Sequence, residues 1–244
     1  MISLETAPDY DGVCDLVAGR IAALVYAKPD AVLGLATGST PLGIYARLVQ
    51  QHRRGTLDFS RVICFNLDEY YPMAADSPHS YFAFMQEHLF RHVNCPRWFV
   101  PDGASADPEQ IALRCRDYEA LIADAGGVDL QLLGIGRTGH IGFNEPGSPR
   151  TSRTRLVSLD PLTREDAALS FGGLQNVPFQ AVSMGMGTIL DAREIVVMAS
   201  GAAKAAIVAA AVRGEETAAV PASFLRTHPN VKLFLDKSAA ALIR

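Results

Sequence analysis

The stretch DLQLLGIGRTGHIGFNEPGS, residues 129–148, decides the fold because an apolar run in it turns into a glycine-rich loop. Such a run is typical of a buried parallel strand, and open α/β sheets usually place their ligand in the loop after such a strand. The loop carries His140 and Glu145. A histidine changes charge near neutral pH, and a nearby carboxylate can orient it. We therefore predict a strand that ends in a proton-transfer site, with a core strand and a purely structural histidine as the alternative.

Apolar runs and helical periodicities alternate along the rest of the chain. The other strand-like runs are Ala31–Ala36, Val62–Asn66, Glu194–Ala199 and Val231–Leu235. The predicted helices are Ala7–Tyr26, Pro41–Arg53, Ser80–Arg91, Pro108–Ala125, Ala202–Val212 and Ser238–Ile243. This alternation predicts an α/β fold with a doubly wound, mostly parallel sheet and helices on both faces. Since no linker or repeat divides the chain, residues 1–244 are predicted to form a single domain.

The composition narrows the class of partner. The formal net charge is -4 with the charges scattered, which gives no support to nucleic-acid binding. No apolar run is long enough for a membrane span, and the N-terminus lacks the basic end and apolar core of a secretory signal. We therefore expect a cytoplasmic protein that contacts neither nucleic acid nor membrane. The four cysteines form no CxxC pair, so reduced, buried thiols are expected.

The turn after the first apolar run has the chemistry of an anion site. Its sequence is TGSTP, residues 37–41, in which Thr40 is predicted to cap a helix with Pro41 at its first position. The hydroxyls of this turn and the free N–H groups at the helix start would suit a phosphate. An ordinary capped turn is the alternative, since the pattern matches no common nucleotide-binding loop.

Acidic side chains follow the second apolar run. Asp68 lies just past its predicted carboxyl end, at the rim where α/β sheets carry their sites. Glu69 is adjacent and would point the other way, so we interpret Asp68 as functional and Glu69 as structural. Lys204 opens a later helix on the same side of the sheet. Right-handed crossovers would bring Asp68 and Lys204 to the same rim as His140 and the 37–41 turn.

Two further patterns have ordinary structural explanations, which we favour. His88 and His92 have the i,i+4 spacing of two metal ligands, but they lack a third ligand and an HExxH pattern, so we interpret them as surface or capping residues. Cys64 lies in an apolar run and is interpreted as a packed thiol rather than a nucleophile. We therefore predict no metal site.

Taken together, these motifs resemble the glucosamine-6-phosphate deaminases, a family of sugar-phosphate isomerases that also release ammonia. The matching segments cover nearly the whole chain: LGLATGSTPLGIY (33–45), FNLDEYYP (65–72), GIGRTGHIGFNEPGS (134–148), SRTR (152–155), MGMGTILDAREIVVMASGAAKAAI (184–207) and PASFLRTHPNV (221–231). GHIGFNEP is the most specific of them, because the related 6-phosphogluconolactonases have a different sequence after their GH pair.

The resemblance implies a Rossmann-like fold, a cofactor-independent reaction and a small-molecule amino-sugar phosphate as substrate. Glucosamine 6-phosphate would be converted to fructose 6-phosphate and ammonia. His140 matches the histidine that opens the sugar ring, Glu145 would tune and orient it, and Asp68 matches the base that moves a proton from C2 to C1. A carboxylate can serve as that base if a dry site raises its pKa. The residues matched to substrate binding are Gly38, Ser39, Thr40, Gly136 and Lys204.

The chain departs from the family pattern at two places. Thr138 stands two residues before the histidine, where the family usually has Asp or Asn, and a hydroxyl cannot hold negative charge. A lid arginine that usually binds the phosphate is also missing, because Ala168 or Leu169 stands at its aligned position. Losing that partner would cost about 1.5–3 kcal/mol of binding free energy.

We predict a mobile lid around residues 151–178, in which Gly172-Gly173 would supply flexibility. Three arginines in this segment could replace the missing one: Arg153, Arg155 and Arg164. Hexameric members of the family have a longer C-terminal region than this chain, so we do not transfer their allosteric mechanism. Self-association into a homo-oligomer stays open.

Deamination of glucosamine 6-phosphate is the leading hypothesis. The alternatives are the same reaction on another amino-sugar phosphate such as galactosamine 6-phosphate, lactone hydrolysis of the 6-phosphogluconolactonase type, and a non-catalytic sugar-phosphate sensor. Asp68-Glu69 and the GFNEP continuation disfavour the lactonase. The intact set of Asp68, His140 and Glu145 disfavours the sensor. Thr138 and the missing lid arginine leave the choice of amino sugar open.

Overall fold

The computed structural model describes residues 2–105 and 107–243, so positions 1, 106 and 244 of the predicted domain lie outside the described residues. Within these ranges the strands are β1 (Ile2–Ala7), β2 (Val32–Leu35), β3 (Ile63–Asn66), β4 (Asp68–Tyr71), β5 (Arg97–Phe99), β6 (Leu130–Leu133), β7 (Arg155–Ser158), β8 (Gln180–Ser183), β9 (Glu194–Ala199) and β10 (Val231–Asp236). The α-helices are α1 (Tyr10–Ala27), α2 (Leu42–Arg53), α3 (Tyr81–His88), α4 (Pro108–Asp124), α5 (Pro161–Ala167), α6 (Met186–Leu190) and α7 (Ala205–Arg213). None of the helices described is both long and apolar enough to cross a membrane.

Seven strands form one parallel sheet in the order β1-β10-β9-β6-β2-β3-β5. From β2 the chain moves outward through β3 to β5, and from β6 it moves the other way through β9 to β10. The strand order therefore reverses between β2 and β6, which pair directly at Gly34 and Gln131. The predicted doubly wound, mostly parallel α/β fold is confirmed. The edge strands β1 and β5 escape the sequence pattern because β1 is largely exposed, β5 is only partly buried, and neither carries a long apolar run.

The central strands are mostly apolar because both of their faces are covered. Every residue of β2, β3, β6 and β9 is buried. This burial explains why continuous apolar runs, rather than alternating patterns, predict these strands. The buried polar side chain of Gln131 fits into β6 because it lies against Gly34 of β2, where a Cβ atom would overlap it.

A second sheet, antiparallel and in the order β4-β8-β7, was not part of the predicted architecture. Only Leu67 separates the end of β3 from the start of β4. Asp68 therefore lies just past the end of β3, as predicted, but it is also the first residue of a new strand and pairs with Ser183 of β8. The chain continues as a strand because β8 supplies hydrogen-bonding partners from a distant part of the sequence, which no local pattern reveals.

Two predicted helices near the C-terminus differ in the structure. The segment Ala202–Val212 begins as a 3-10 helix, Ala202–Lys204, before α7 starts. The predicted helix Ser238–Ile243 is wrong, because the N–H groups of Ala241 and Ile243 each donate to a carbonyl three residues back, in separate turns. So short a segment forms too few α-helical hydrogen bonds to offset the cost of nucleation.

The turn from β8 into α6 provides a test of the packing. A Cβ atom on Gly185 would overlap the backbone carbonyl of Ser152, which cannot move aside without displacing the chain at that point. We expect Gly185→Ala to lower the free energy of unfolding by about 2–3 kcal/mol, measured by urea unfolding.

The matched control is Gly19→Ala in α1, where an added Cβ has nothing within 4 Å. Because alanine is the better helix former, this control should raise the free energy of unfolding by about 0.5–1 kcal/mol. Equal stability of Gly185→Ala and the wild type would contradict the packing described.

Candidate active site

A cavity of about 570 Å³ opens where the strand order reverses. The loops after β2 and β6 meet there, since Thr40 Oγ1 lies 4.0 Å from the place that a Cβ on Gly134 would occupy. Crevices at such reversals are the usual ligand sites of α/β sheets. The predicted site residues that line this cavity are Gly38, Ser39, Thr40, Asp68, Gly136, His140 and Lys204.

The first turn of α2 is held by Tyr10 rather than by Thr40. Helix α2 has no side-chain cap. The Tyr10 hydroxyl accepts a hydrogen bond from the Gly43 N–H at 3.0 Å and donates one to the Thr40 carbonyl at 3.0 Å. The predicted Thr40 cap is therefore wrong, because Tyr10 satisfies a first-turn donor. Thr40 stays at the cavity wall instead, next to a helix start whose N–H groups attract anions.

Two cationic side chains also line the cavity. Lys204 Nζ donates to the Ile135 carbonyl at 2.8 Å. Burial lowers the pKa of Lys204, the charge of Asp166 opposes that shift, and the charge of Arg137 adds to it. Arg137 itself forms ion pairs with Glu165 at 3.5 Å and Asp166 at 3.3 Å, both on α5. The cavity therefore combines a helix start, hydroxyl groups and two cations, which together suit a phosphate.

Asp68 is a buried carboxylate in the cavity wall. The residue is 4% exposed, and burial together with the neighbouring charge of Glu69 raises its pKa to about 8. The chain passes close by at Gly142, where φ is +55° and a Cβ would lie 3.1 Å from Asp68 Oδ2. A carboxylate with a pKa this close to neutrality can both take a proton from a substrate and return it.

Glu69 faces the start of α3 instead. Its carboxylate accepts hydrogen bonds from the N–H groups of Tyr81 at 2.9 Å and Phe82 at 3.0 Å. Ser80 adds the side-chain cap of the same helix, which ends at His88, earlier than predicted. Burial raises the pKa of Glu69 to about 7, although its N–H partners lower it. These contacts support the interpretation of Glu69 as a structural residue.

His140 is surrounded by oxygen atoms on one side of its ring. The Nδ1 atom lies 2.9 Å from Thr138 Oγ1, 3.1 Å from Glu145 Oε2 and 3.3 Å from Thr163 Oγ1. Thr138 Oγ1 also lies 3.4 Å from Glu145 Oε2. The imidazole lines the cavity, whereas Thr138 and Glu145 are not among the described residues that line it. These two predicted residues therefore contact the Nδ1 side of the histidine and not the cavity.

Glu145 sets the protonation pattern of this group. Burial raises its pKa, but the hydrogen bond and charge of His140, with contacts from Thr163 and the Asp160 N–H, outweigh burial and leave the pKa below its usual value. An ionised Glu145 can accept the Nδ1–H of the imidazole, which leaves Nε2 as a proton acceptor. Gly136 makes room for the ring, because a side chain there would overlap it.

The three arginines considered as replacements for the lid arginine are engaged elsewhere. Arg153 pairs with Asp191. Arg155 donates to Asn144 Oδ1 at 2.9 Å, and burial lowers the pKa of its guanidinium. Arg164 donates to three backbone carbonyls. In the described part of the chain none of the three lines the cavity.

The cavity residues to which the sequence motifs gave no role include Arg137, Thr163 and Asp166. Arg137 lies in the glycine-rich loop after β6, and a charged residue inside that loop was the available signal. Thr163 and Asp166 come from α5, in the predicted lid segment. No sequence pattern shows which side chains of so short a helix turn towards a cavity.

The cysteines and the other histidines have structural surroundings. All four thiols are free and buried, and burial raises the pKa of Cys64, whose Sγ lies 3.9 Å from that of Cys95. His88 packs on the ring of Phe84, and His92 Nε2 lies 2.9 Å from a backbone carbonyl. Across residues 2–105 and 107–243 no cluster of three or more His, Cys, Asp or Glu side chains could hold a metal ion.

A doubly wound sheet whose crevice combines a helix start, two cations, a buried carboxylate and a histidine suits an enzyme that acts on a phosphorylated substrate. Residues 10–234 match the family model of glucosamine-6-phosphate isomerases/6-phosphogluconolactonase, and the chain belongs to that family.

Individual members of the family are similar to this chain over nearly its whole length. The chain is 47% identical to a glucosamine-6-phosphate deaminase of Geobacillus sp. (strain WCH70), over 99% of this chain and 96% of the relative. It is 48% identical to one from Halothermothrix orenii, over 91% and 92%. A solved structure of a monomeric glucosamine-6-phosphate deaminase is 40% identical, with a TM-score of 0.94 over 98% and 99% of the two chains. The 6-phosphogluconolactonase of Trypanosoma brucei, 22% identical with a TM-score of 0.82 over 100% and 99%, shares the fold.

Asp68 makes stability depend on pH in a definite direction. Its pKa is about 8 in the folded protein and about 3.9 in an unfolded chain. The stabilising effect of the bound proton is therefore complete below about pH 4 and is lost as the pH rises through about 8. Because Asp68→Asn removes the buried charge, its free energy of unfolding should exceed that of the wild type by about 1–3 kcal/mol at pH 9 but not at pH 4. Urea unfolding at both pH values measures the difference.

The control is Asp124→Asn at the exposed end of α4, which makes the same change in net charge. If the advantage of Asp68→Asn at pH 9 is no larger than that of the control, burial does not destabilise the Asp68 carboxylate.

Proposed function

We propose that this chain converts glucosamine 6-phosphate and water into fructose 6-phosphate and ammonia. The observation that carries the proposal is a single cavity lined by the buried carboxylate of Asp68 and by His140, which is paired with Glu145. An aldose–ketose isomerisation needs these two elements, because one group must open the ring and another must move a proton between carbons. The relatives at 47% and 48% identity bear the name of this activity.

His140 is assigned to ring opening. This step takes a proton from the O1 hydroxyl of the pyranose and delivers one to the ring oxygen. With Nδ1–H held by Glu145, the Nε2 atom accepts the first proton, and the resulting imidazolium donates it to the ring oxygen. Glu145, at 3.1 Å from Nδ1, stabilises that imidazolium by its opposite charge.

Asp68 is assigned to the transfer of a proton from C2 to C1. The aldehyde of the open sugar makes the C2 proton acidic, and the carboxylate removes it. The substrate's own ammonium group gives a proton to O1 in the same step, so a neutral enolamine with a protonated O1 forms. Return of the proton to C1 leaves an imine at C2. Water then adds to C2 and ammonia leaves, so the products are fructose 6-phosphate and ammonia. A pKa of about 8 suits a group that must accept and return a proton near neutral pH.

The phosphate is assigned to the end of the cavity formed by the 37–41 turn, the start of α2 and Lys204. Hydroxyl groups, helix-start N–H groups and a cation would act there together. Phosphate binding of this kind holds the sugar so that C1 and C2 face Asp68, which lowers the entropic part of the barrier.

The segment 151–178 is assigned the role of a lid over the site. Its helix α5 and the residues after it contribute Thr163, Ser170 and Phe171 to the cavity lining. Gly172 and Gly173 follow with φ of +66° and +140°, conformations that favour glycine. Two such residues inside the segment can act as a hinge, so that the lid closes and excludes water from the proton transfers.

Release of ammonia and formation of fructose 6-phosphate from glucosamine 6-phosphate test the proposal. The wild type should form both products in equal amounts. Asp68→Asn should lower kcat by about 10²–10⁴-fold, because a general base is lost. Asp124→Asn, a loss of the same charge at an exposed position, is the matched control and should keep full activity. Absence of turnover by folded wild type, or full activity in Asp68→Asn, would refute the proposed function.

The same assay separates the alternatives. Faster turnover of galactosamine 6-phosphate would keep the reaction and change the sugar. Hydrolysis of 6-phosphogluconolactone in place of deamination would favour the lactonase. Calorimetric binding of glucosamine 6-phosphate without any product would favour a sensor.

Thr138 is assigned to positioning His140 rather than to choosing the sugar, because it contacts the Nδ1 atom and is not among the described residues that line the cavity. We expect Thr138→Val to lower kcat about tenfold, since one hydrogen bond to the imidazole is lost, while KM stays within about twofold. Thr138→Ser keeps the hydroxyl and should behave as the wild type. A rise in KM alone would place Thr138 in contact with the sugar and contradict this assignment.

A further inference from the structure

The end of the cavity assigned to the phosphate contains a second cation, Arg137, for which no role was predicted. Among the described residues, the lysine and arginine that line the cavity are Lys204 and Arg137. The position aligned with the family's lid arginine holds Ala168 or Leu169. Lys204 would therefore face a doubly charged phosphate without a second cation unless Arg137 joins it.

Arg137 contacts α5 through one nitrogen of its guanidinium. The Nη2 atom lies 3.2 Å from the Leu162 carbonyl oxygen, 3.5 Å from Glu165 Oε2 and 3.3 Å from Asp166 Oδ1. A guanidinium carries five N–H donors in a planar fork. The donors on Nε and Nη1 are therefore left for a further anion, and a charged N–H donor bonds strongly to a phosphate oxygen.

Asp166 competes for the same cations. It lines the cavity, and its negative charge acts on Lys204 as well as on Arg137. The side chains of Arg137 and Asp166 are 49% and 52% exposed. An ion pair that is this exposed is weak because water screens it. A charge-assisted hydrogen bond to a phosphate dianion is stronger, so a phosphate can displace the carboxylate.

We propose that Arg137 is the second cation for the substrate phosphate. Asp166 pairs with Arg137 until the phosphate displaces the carboxylate. The inference rests on the sugar-phosphate binding of the proposed function. An arginine of the loop after β6 thereby takes the place of the missing lid arginine. A sugar without a phosphate carries no charge to displace Asp166, so the exchange also discriminates against unphosphorylated amino sugars.

Calorimetric titration of the full chain with fructose 6-phosphate, and separately with inorganic phosphate, tests the exchange. Arg137→Gln should raise the Kd for fructose 6-phosphate about tenfold, because a charge-assisted pair is lost. Asp166→Asn should lower the Kd by about threefold, because the competing charge is gone. In the double variant Arg137→Gln/Asp166→Asn, the decrease in Kd caused by Asp166→Asn should be smaller, since Arg137, the main partner of Asp166, is absent.

Arg153→Gln and Asp191→Asn are the matched controls, because they break an ion pair of the same type between two exposed side chains that do not line the cavity among the described residues. Their Kd values should stay within about twofold of the wild type. Thermal unfolding of each variant confirms that it is folded.

A Kd for folded Arg137→Gln that rises less than about threefold, or an Asp166→Asn variant that binds no more tightly than the wild type, overturns the inference. If the variants shift the Kd as expected but the wild type releases no ammonia, the proposed reaction fails and the role of Arg137 stands. If ammonia is released and Arg137→Gln keeps the wild-type KM, the reaction stands and the role of Arg137 fails.

Discussion

The reversal of strand order between β2 and β6 is the constraint on which the site depends. Crossovers leave these two strands in opposite directions, so a crevice remains at their carboxyl ends. The strands can pair closely there because Gly34 makes room for the buried side chain of Gln131. The 37–41 turn and the glycine-rich loop then meet across the crevice. For this reason the 37–41 turn and His140, about a hundred residues apart in the chain, reach one cavity.

The small antiparallel sheet changes what a carboxylate at this rim can do. Because β4 starts at Asp68 and pairs with β8, the side chain is buried instead of solvated. Burial raises its pKa, which costs stability at neutral pH but lets the carboxyl group exchange a proton near that pH. Burial also raises the pKa of Glu145, yet the hydrogen bond and charge of His140 outweigh this effect. The pKa of this carboxylate therefore lies below its usual value. The pKa values of two acids in one site thus differ because the two carboxylates have different partners.

Features encoded within a few residues were predictable, and features supplied by another element were not. The central strands were found because their apolar runs need only their own sequence. The Thr40 cap failed because Tyr10, on α1, takes the helix-start donor first. The second sheet was missed because β4 pairs with β8, which lies more than a hundred residues further along the chain. Arg155 looked available for a phosphate, but Asn144 binds its guanidinium in the folded chain.

The sequence by itself determined the α/β class, the placement of Asp68, His140 and Lys204 after or near strand ends, and the resemblance that led to the family. These follow from periodicity and from motifs, which depend only on neighbouring residues. Only the tertiary structure decided that Thr138 stands behind the imidazole, that α5 turns Thr163 towards His140 and Asp166 towards Arg137, and that the carboxylate at Asp68 is buried. Burial and partner distances are set when elements far apart in the chain pack together, and no local pattern carries that information.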